Sequence, residues 1–399
     1  MDFKLTEEQE SLKTEFEAFF KEEMRHAPPE YGSGGMEGMY ATDQGNAFHR
    51  EVARKLGQKG WLSRAWPKEY GGQDAPMIEQ MIFNEVKDYF RAPGVDIFGL
   101  GIFAPTLLIG ANEEQKKRLL APIANGQVMY CQGWSEPNAG SDLAGLKTTA
   151  IKDGDHYVVN GQKVWTTGAH RADCMFLLAR TDPSQKRNAG LSVFHLDMDL
   201  PGIEVRPIHY MDGSHLYNEV FFNDVRIPEF DRIGPENEGW RLTRDSMNFE
   251  RSGVGLFAEI RRSIEDLIEY VKNTKRDNRY LSQDPTTRQK IAQLYIDLET
   301  GTSLAYRVAW EQQKGGLLMA ASLASQAKVF GSELLQRIAN LGTEIMGPYG
   351  QLSSSKWAPL EGSMVDFYQV CMGLNIAAGT SEIQRNIIAW VGLGLPRFK

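Results

Sequence analysis

Three textures follow one another along the chain. From Thr6 to about residue 125 apolar positions recur at helical spacing, with Phe16, Phe19 and Phe20 at i, i+3 and i+4. Thr6 and Gln9 have the spacing of a capping box at the first helix start. A Gly- and Pro-rich loop over 27–45 precedes a helix over 46–59. Further helical segments are expected over 77–89, in the apolar run 97–109 and over 112–120. Near residue 127 the period falls towards two, with strands expected over 174–179, 191–196, 203–208 and 219–227. Residues 157–165 read as a hairpin turning at Asn160-Gly161, and Asn223-Asp224 as a bulge or turn. After Gly234 the helical period returns in a long helix over 242–271, then 289–315, 317–342 and a terminal segment.

The order implies an α+β chain. An all-α N-terminal domain (1–126) leads to a small antiparallel β-barrel or sandwich domain (127–235) and then a C-terminal four-helix bundle (236–399). The glycines of 32–38 follow no strand, so they make no dinucleotide fingerprint.

Composition narrows the function. The 399 residues suffice for two or three domains. A net charge of −8 without a basic tract argues against nucleic acid as a partner. Cys131, Cys174 and Cys371 are widely spaced and odd in number, which fits a reducing compartment and neither a disulfide framework nor a zinc site. The seven histidines show no HExxH or paired spacing, so no metal is expected, and there is no GxSxG elbow. No apolar run approaches the ~20 residues that span a bilayer, and no targeting segment is evident. A cytoplasmic protein is expected.

Four stretches can carry chemistry. In Leu374–Arg385, Ser381 and Gln384 have capping-box spacing, which starts a helix running through Trp390 to Gly392. Its free N–H groups suit an anionic or electron-rich ligand, although an ordinary capped terminal helix reads the same way. Gln132–Thr148 is a hydroxyl- and glycine-rich loop able to hold phosphate, or a plain surface loop. Lys163–Gly168 sets Trp165 beside two hydroxyls at a strand end, unless Trp165 is core. Glu250 shares a helical stripe with Met247, Val254 and Phe257, so its carboxylate is either ion-paired or raised in pKa, as a general base requires. Asp96, opening the 97–109 run, either caps a helix or offers a second base or a contact to a polar acyl group.

The motifs Ser135-Glu136-Pro137-x-Ala139-Gly140-Ser141-Asp142, Lys163-x-Trp165-x-Thr167, Glu250-Arg251 and Gly379-Thr380-Ser381-Glu382-Ile383-Gln384-Arg385, in this order, resemble the flavin-dependent acyl-CoA dehydrogenase family. The resemblance covers essentially the whole chain. It implies FAD as cofactor. Gln132, Trp134, Ser135 and Ser141 match positions at the flavin ring and pyrophosphate, and Trp165 and Thr167 match the dimethylbenzene side and N5 edge. Thr380 and Glu382 match contacts to the phosphates and adenosine half, and Gly347 opens a turn that reaches the adenine half in a neighbouring subunit. Ser141, Asp96, Arg251 and Gly379 fall on the substrate side.

The implied reaction oxidises an acyl-CoA to its α,β-enoyl thioester, a base taking the α-proton while a hydride leaves Cβ for flavin N5. The family commonly places that base directly before Gly379-Thr380, where this chain has Ala378. Its N–H remains as a donor to the thioester carbonyl. In one branch of the family the base sits on the long helix instead, at Glu250. One departure stands out: the region 273–280 lacks the family's usual Arg-x-x-Phe-Gly. Members with these features resemble those acting on bulky, branched or ring-bearing acyl groups. Expected partners are an acyl-CoA, an electron-transfer flavoprotein and further subunits, as a homotetramer or as a heteromer with a related chain. A weakly active partner subunit and an O2-using oxidase are the competing readings.

Overall fold

The computed structural model describes residues 3–32, 34–246, 253–353 and 355–397. Among them, twelve α-helices alternate with two sheets. The first six are α1 (Glu7–Arg25), α2 (Gly35–Tyr40), α3 (Asp43–Gln58), α4 (Met77–Tyr89), α5 (Ala104–Gly110) and α6 (Glu113–Ala124). The strands β1 (Tyr130–Gly133), β2 (Thr149–Asp153), β3 (His156–Lys163), β4 (Cys174–Arg180), β5 (Leu191–Asp197), β6 (Ile203–His209), β7 (His215–Pro228) and β8 (Arg232–Ile233) follow. Then come α7 (Gly239–Ser246), α8 (Val254–Asn273), a small hairpin of β9 (Lys275–Arg276) and β10 (Arg279–Tyr280), and α9 (Pro285–Gln313). The chain closes with α10 (Leu317–Met346), α11 (Ser363–Leu374) and α12 (Ser381–Ile387). The fold class expected from the sequence is the one observed: helical, then β, then helical.

Local chemistry starts several helices as the spacing suggests. Thr6 N–H donates to Gln9 Oε1 at 2.9 Å while Gln9 N–H donates to Thr6 Oγ1 at 3.2 Å, a reciprocal capping box. The expected helix over 242–271 is interrupted at Gly253, whose φ of +70° lies outside the helical region; α7 is described as far as Ser246, and α8 begins at Val254. Glu250 and Arg251 fall between them, outside the described residues.

Contacts divide the chain into two compact units that are not contiguous in sequence. One comprises 1–25, 77–92 and 251–399, and the other 26–76 and 93–250. The expected helical domain 1–126 is therefore shared between them. In the first unit α1 joins α4 through Phe16 and Phe20, whose rings lie 5.2 and 5.5 Å from Phe83. α4 lies along α8, where Gly255 faces Asp88 so closely that a Cβ would sit 1.8 Å from its carboxylate. Ile260, Ile264 and Leu267 of α8 pack with Leu294 and Leu298 of α9 and Leu334, Leu335 and Ile338 of α10.

The second unit is built on an eight-stranded sheet ordered β6-β7-β3-β2-β4-β5-β8, with β1 alongside β4. The sheet is mixed, not purely antiparallel. β1 runs parallel to β4, and Thr149 of β2 meets Arg180 at the end of β4 in the same sense. Both parallel strands arrive through long connections, which leave the chain free to enter from the same end. Asn160-Gly161 makes no turn. It runs on within β3, because β7 pairs with β3 on both sides of it, from Tyr157↔Ile227 to Lys163↔Val220, and the bulge lies opposite in β7, where Asn223 and Asp224 (φ +50°) together face Asn160, as the sequence suggested for that pair. Asn160 Nδ2 donates to Asp224 Oδ1 at 2.9 Å and Asp224 N–H to Asn160 Oδ1 at 3.0 Å, stitching the bulge shut. The hairpin turn lies one element earlier, at Gly154 (φ +64°), between β2 and β3.

Candidate active site

In the second unit the motif loop and the Lys163–Gly168 segment meet. β1 leads into Trp134, a buried residue whose ring packs edge-on to Phe176 at 5.2 Å. Lys163, with no exposed surface, donates from Nζ to the Trp134 carbonyl at 3.0 Å and to Glu136 Oε1 at 2.9 Å. The Glu136 carboxylate also accepts the N–H groups of Lys147 and Thr148 at 2.7 and 2.8 Å. One ion pair thus pins both ends of the glycine- and serine-rich loop to the sheet. Burial pulls the Lys163 ammonium down to about 8. Burial alone would raise the Glu136 carboxyl, but Lys163 and its backbone donors outweigh that and hold it below the usual value. The two partners shift in the same direction for opposite reasons, since the lysine is wholly enclosed and the carboxylate is less so.

Beyond Lys163 the chain turns sharply. Trp165 has φ +60°, uncommon for a bulky residue, and is 59% exposed. It is not core. Its backbone is held on both sides: Val164 N–H donates to Ser135 O at 2.9 Å, and Thr166 N–H to Asn218 O at 3.0 Å. Asn218 Nδ2 returns a bond to Thr166 O at 3.0 Å. Tyr217 supports the indole edge-on at 5.8 Å. Thr167 is buried beside it, and Ser141 stands exposed in the loop. Two buried polar atoms here, Trp134 Nε1 and Thr166 Oγ1, find no hydrogen-bond partner among the described residues. Lys163, Glu136 and Asn218 went unassigned in the sequence. The Lys163-x-Trp165 and Ser135-Glu136-Pro137 motifs were the available signal, but neither spacing tells which acid meets which base.

Asp96 is buried and saturated. Its oxygens accept N–H groups from Phe98 and Gly99 at 3.1 Å each and from Tyr130 at 2.8 Å, so it caps the helical segment before α5 and ties it to β1. Burial nonetheless raises its carboxyl to about 6. A side chain at Gly99 would meet Asp96 and Tyr130, whereas one at Gly101 would meet only open space.

In the first unit the stretch 374–385 makes a tight loop into α12. The cap is Thr380, whose Oγ1 accepts Ile383 N–H at 3.2 Å, one residue earlier than expected. Gln384 cannot complete a capping box because its Nε2 reaches back to the carbonyls of Ala378 and Gly379, at 2.9 and 3.4 Å. Ser381 Oγ is left buried without a partner among the described residues. Ala378 and Gly379 are both left-handed, at φ +53° and +87°. Lys328 of α10 donates to Gly379 O at 2.9 Å, and burial lowers its pKa. The Ala378 N–H meets no acceptor among the described residues. Glu382, exposed at the first turn, is held below the usual carboxylate value by its own backbone N–H and Thr380. A cleft of about 600 Å³ beside it is lined by Phe330, Glu333, Ser381, Glu382 and Arg385.

The substituted 273–280 region forms the β9–β10 hairpin with Asp277 and Asn278 both at positive φ, the geometry of a type I′ turn. Arg276 donates to Ile345 O at 2.6 Å, at the end of α10 and beside Gly347 (φ +60°), where the exposed Tyr349 follows.

Comparison with known proteins agrees across the chain. Sequence models of the acyl-CoA dehydrogenase N-terminal, middle and C-terminal domains match residues 6–127, 131–225 and 237–393. Acyl-CoA dehydrogenase FadE26 of Mycobacterium tuberculosis is 35% identical, over 100% of this chain and 99% of its own. Among solved structures, the ChsE4-ChsE5 complex from Mycobacterium tuberculosis contains a chain 34% identical with a TM-score of 0.88, both chains covered in full. The Tcur3481-Tcur3483 steroid ACAD contains one 30% identical with a TM-score of 0.87, again over 100% of both. With all three domain models in order and these full-length relatives, the chain belongs to the acyl-CoA dehydrogenase family of FAD-dependent oxidoreductases.

Proposed function

We propose that the protein oxidises a bulky, ring-bearing acyl-CoA to the α,β-enoyl-CoA and passes the electrons to an electron-transfer flavoprotein. The observation that carries this is the exposed Trp165, held in a costly backbone conformation next to the orphaned Trp134 Nε1 and Thr166 Oγ1. Such a flat, exposed ring beside unpaired buried donors suits a planar polar cofactor. Gln132, Trp134, Ser135, Ser141, Trp165 and Thr167 would hold the flavin side, and Gly347, Thr380 and Glu382 the phosphate and adenosine side. FAD, when bound, accepts the hydride from Cβ.

The protein's own groups do the rest. Glu250, as carboxylate, takes the α-proton, while the unpaired Ala378 N–H donates to the thioester oxygen and acidifies that proton. Arg251 supports the CoA end. The ring-bearing acyl group is supported by the similarity to the steroid ACAD and by the open space at Gly101. Anaerobic mixing of the flavin-loaded protein with a panel of acyl-CoAs tests the reading. Bleaching should be fastest with ring-bearing thioesters and about 10²–10⁴-fold slower in Glu250→Gln. Equal rates in wild type and Glu250→Gln would remove Glu250 from the role, and fast reoxidation of the bleached flavin in air would indicate an oxidase.

One observation favours a second reading, a subunit active mainly within a heteromer. α11 leaves Met372 58% exposed and the following Ile376 67% exposed, an apolar face that the described residues leave open. Of the similar structures named above, one is the ChsE4-ChsE5 complex and the other, the Tcur3481-Tcur3483 steroid ACAD, carries two names. Flavin content and bleaching of the chain purified alone separate the readings: a chain that holds no FAD until a related subunit is added acts as the partner.

A further inference from the structure

Outside the proposed active site, three chemically different metal ligands converge on one face of the sheet. Cys174 opens β4, and His195 and Asp197 lie at the end of β5. The antiparallel register sets Cys174 directly opposite Asp197 and Phe176 opposite His195. Side chains two apart on a strand share a face, so His195, Asp197 and Cys174 become neighbours. Their ligand atoms lie within 4.8 Å of one another. Cys174 and His195 are buried, and Asp197 opens towards water.

We propose that Cys174 Sγ, His195 Nε2 and one Asp197 oxygen form a binding site for a divalent zinc-class cation, with the fourth position open to water. Three observations support this. Zinc bonds of about 2.3 Å to sulfur and about 2.0–2.1 Å to nitrogen and oxygen, at tetrahedral angles, require an S···O edge of about 3.5 Å and an N···O edge of about 3.3 Å. The protein presents 3.6 Å between Cys174 Sγ and Asp197 Oδ1 and 3.3 Å between His195 Nε2 and Asp197 Oδ1. Next, the second ring nitrogen of His195 is already engaged: Nδ1 and the Tyr130 hydroxyl lie 3.2 Å apart. A metal-binding imidazole needs this outer partner to fix its tautomer and leave Nε2 free. Finally, the competing acid is occupied. Asp173, adjacent in sequence, pairs with Arg50 at 2.9 Å and accepts Met129 N–H at 2.8 Å, so it does not complete the set.

Binding replaces the Cys174 S–H bond with an S–metal bond and releases that proton to solvent. The cation would lock β4 to β5 at the end next to β1, the strand leading to Gln132 and Trp134. The sequence alone hides this site, because Cys174 and His195-x-Asp197 come together only through strand register.

The test uses the full-length chain, stripped with a chelator and titrated with zinc chloride. Elemental analysis should find about one zinc per chain, and zinc-edge X-ray absorption one sulfur neighbour at ~2.3 Å with the remaining neighbours at ~2.0–2.1 Å. Cys174→Ser should lose the sulfur shell, while Cys131→Ser and Cys371→Ser keep it. Tyr130→Phe, which leaves the three ligands in place, should weaken binding about 10–100-fold. Asp197→Asn, at a solvent-open position, provides a variant that folds if Cys174→Ser does not, and should lower affinity at least as much. Zinc bound without sulfur in the wild type, a sulfur shell surviving in Cys174→Ser, or equal affinity in wild type and Asp197→Asn overturns the proposal.

Discussion

Replacing Lys163 with methionine keeps the length of the stem and removes only the ammonium. The change strands Glu136, whose side chain is 9% exposed and whose partner at 2.9 Å disappears. The carboxylate keeps two backbone donors, but its salt bridge is gone, and the Trp134 carbonyl loses its bond as well. Breaking a buried pair in this way costs about 3–5 kcal/mol. The unit spanning 26–76 and 93–250 lies in the size range where each kcal/mol moves Tm by about 2–4 °C, so a fall of roughly 6–20 °C is expected at pH 7.5.

The pH dependence gives a sharper check. In the wild type the Glu136 carboxyl lies below its usual value, so its contribution is present above the unfolded pKa and is lost as pH falls through the folded one. Without Lys163, burial raises that pKa instead, and the variant regains stability as the acid protonates. The gap between wild type and variant must therefore be widest near neutrality and narrow towards pH 5. Adding Glu136→Gln to Lys163→Met should recover a substantial part of the loss, since no unpaired charge remains. Thermal melts followed by circular dichroism at the two pH values measure all three proteins. A Tm within about 2 °C of wild type, or a gap that does not change with pH, would refute the reasoning.

Other outcomes follow from single features. Asp96, with its carboxyl raised from 3.8 to about 6 by burial, binds its proton more readily in the folded state. Its charging should therefore cost stability as pH rises across that interval, on the order of 3 kcal/mol in all, and Asp96→Asn should flatten this part of a pH–stability profile measured by urea unfolding. Gly362→Ala places a side chain at φ +85° with its Cβ 1.9 Å from Ser353 O, so a loss of at least about 1–3 kcal/mol is expected in the same assay. Met372→Glu together with Ile376→Lys should shift the protein to smaller species in light-scattering chromatography, with the melting temperature of the dissociated chain unchanged. An unaltered mass would mean that the α11 face is not an interface.

Much of this protein is written locally. Thr6 with Gln9 starts α1, the 77–89 periodicity gives α4, and the apolar runs of β4 and β5 mark strands buried on both faces. Each depends on neighbours a few residues away, so composition and spacing reveal them. The family motifs are legible for the same reason, being short and contiguous. What the sequence could not decide were contests between a local preference and a distant partner. Asn160-Gly161 favours a turn, but β7 offers pairing on both sides, so the segment stays within the strand and only β7 bulges opposite it. Ser381 and Gln384 favour a capping box, but the carbonyls of Ala378 and Gly379 capture the glutamine and Thr380 takes over the cap. Trp165 is apolar enough for a core, yet backbone bonds from Ser135 and Asn218 hold it in the open. α1 and α4 leave their sequence neighbours because their aromatic and polar partners lie in the first unit, as in the Phe16–Phe83 contact and the Tyr89–Glu265 bond. Local propensities of a few tenths of a kcal/mol to about one yield to paired strands, buried ion pairs and packed rings worth more, and only the tertiary structure shows which distant partner is present.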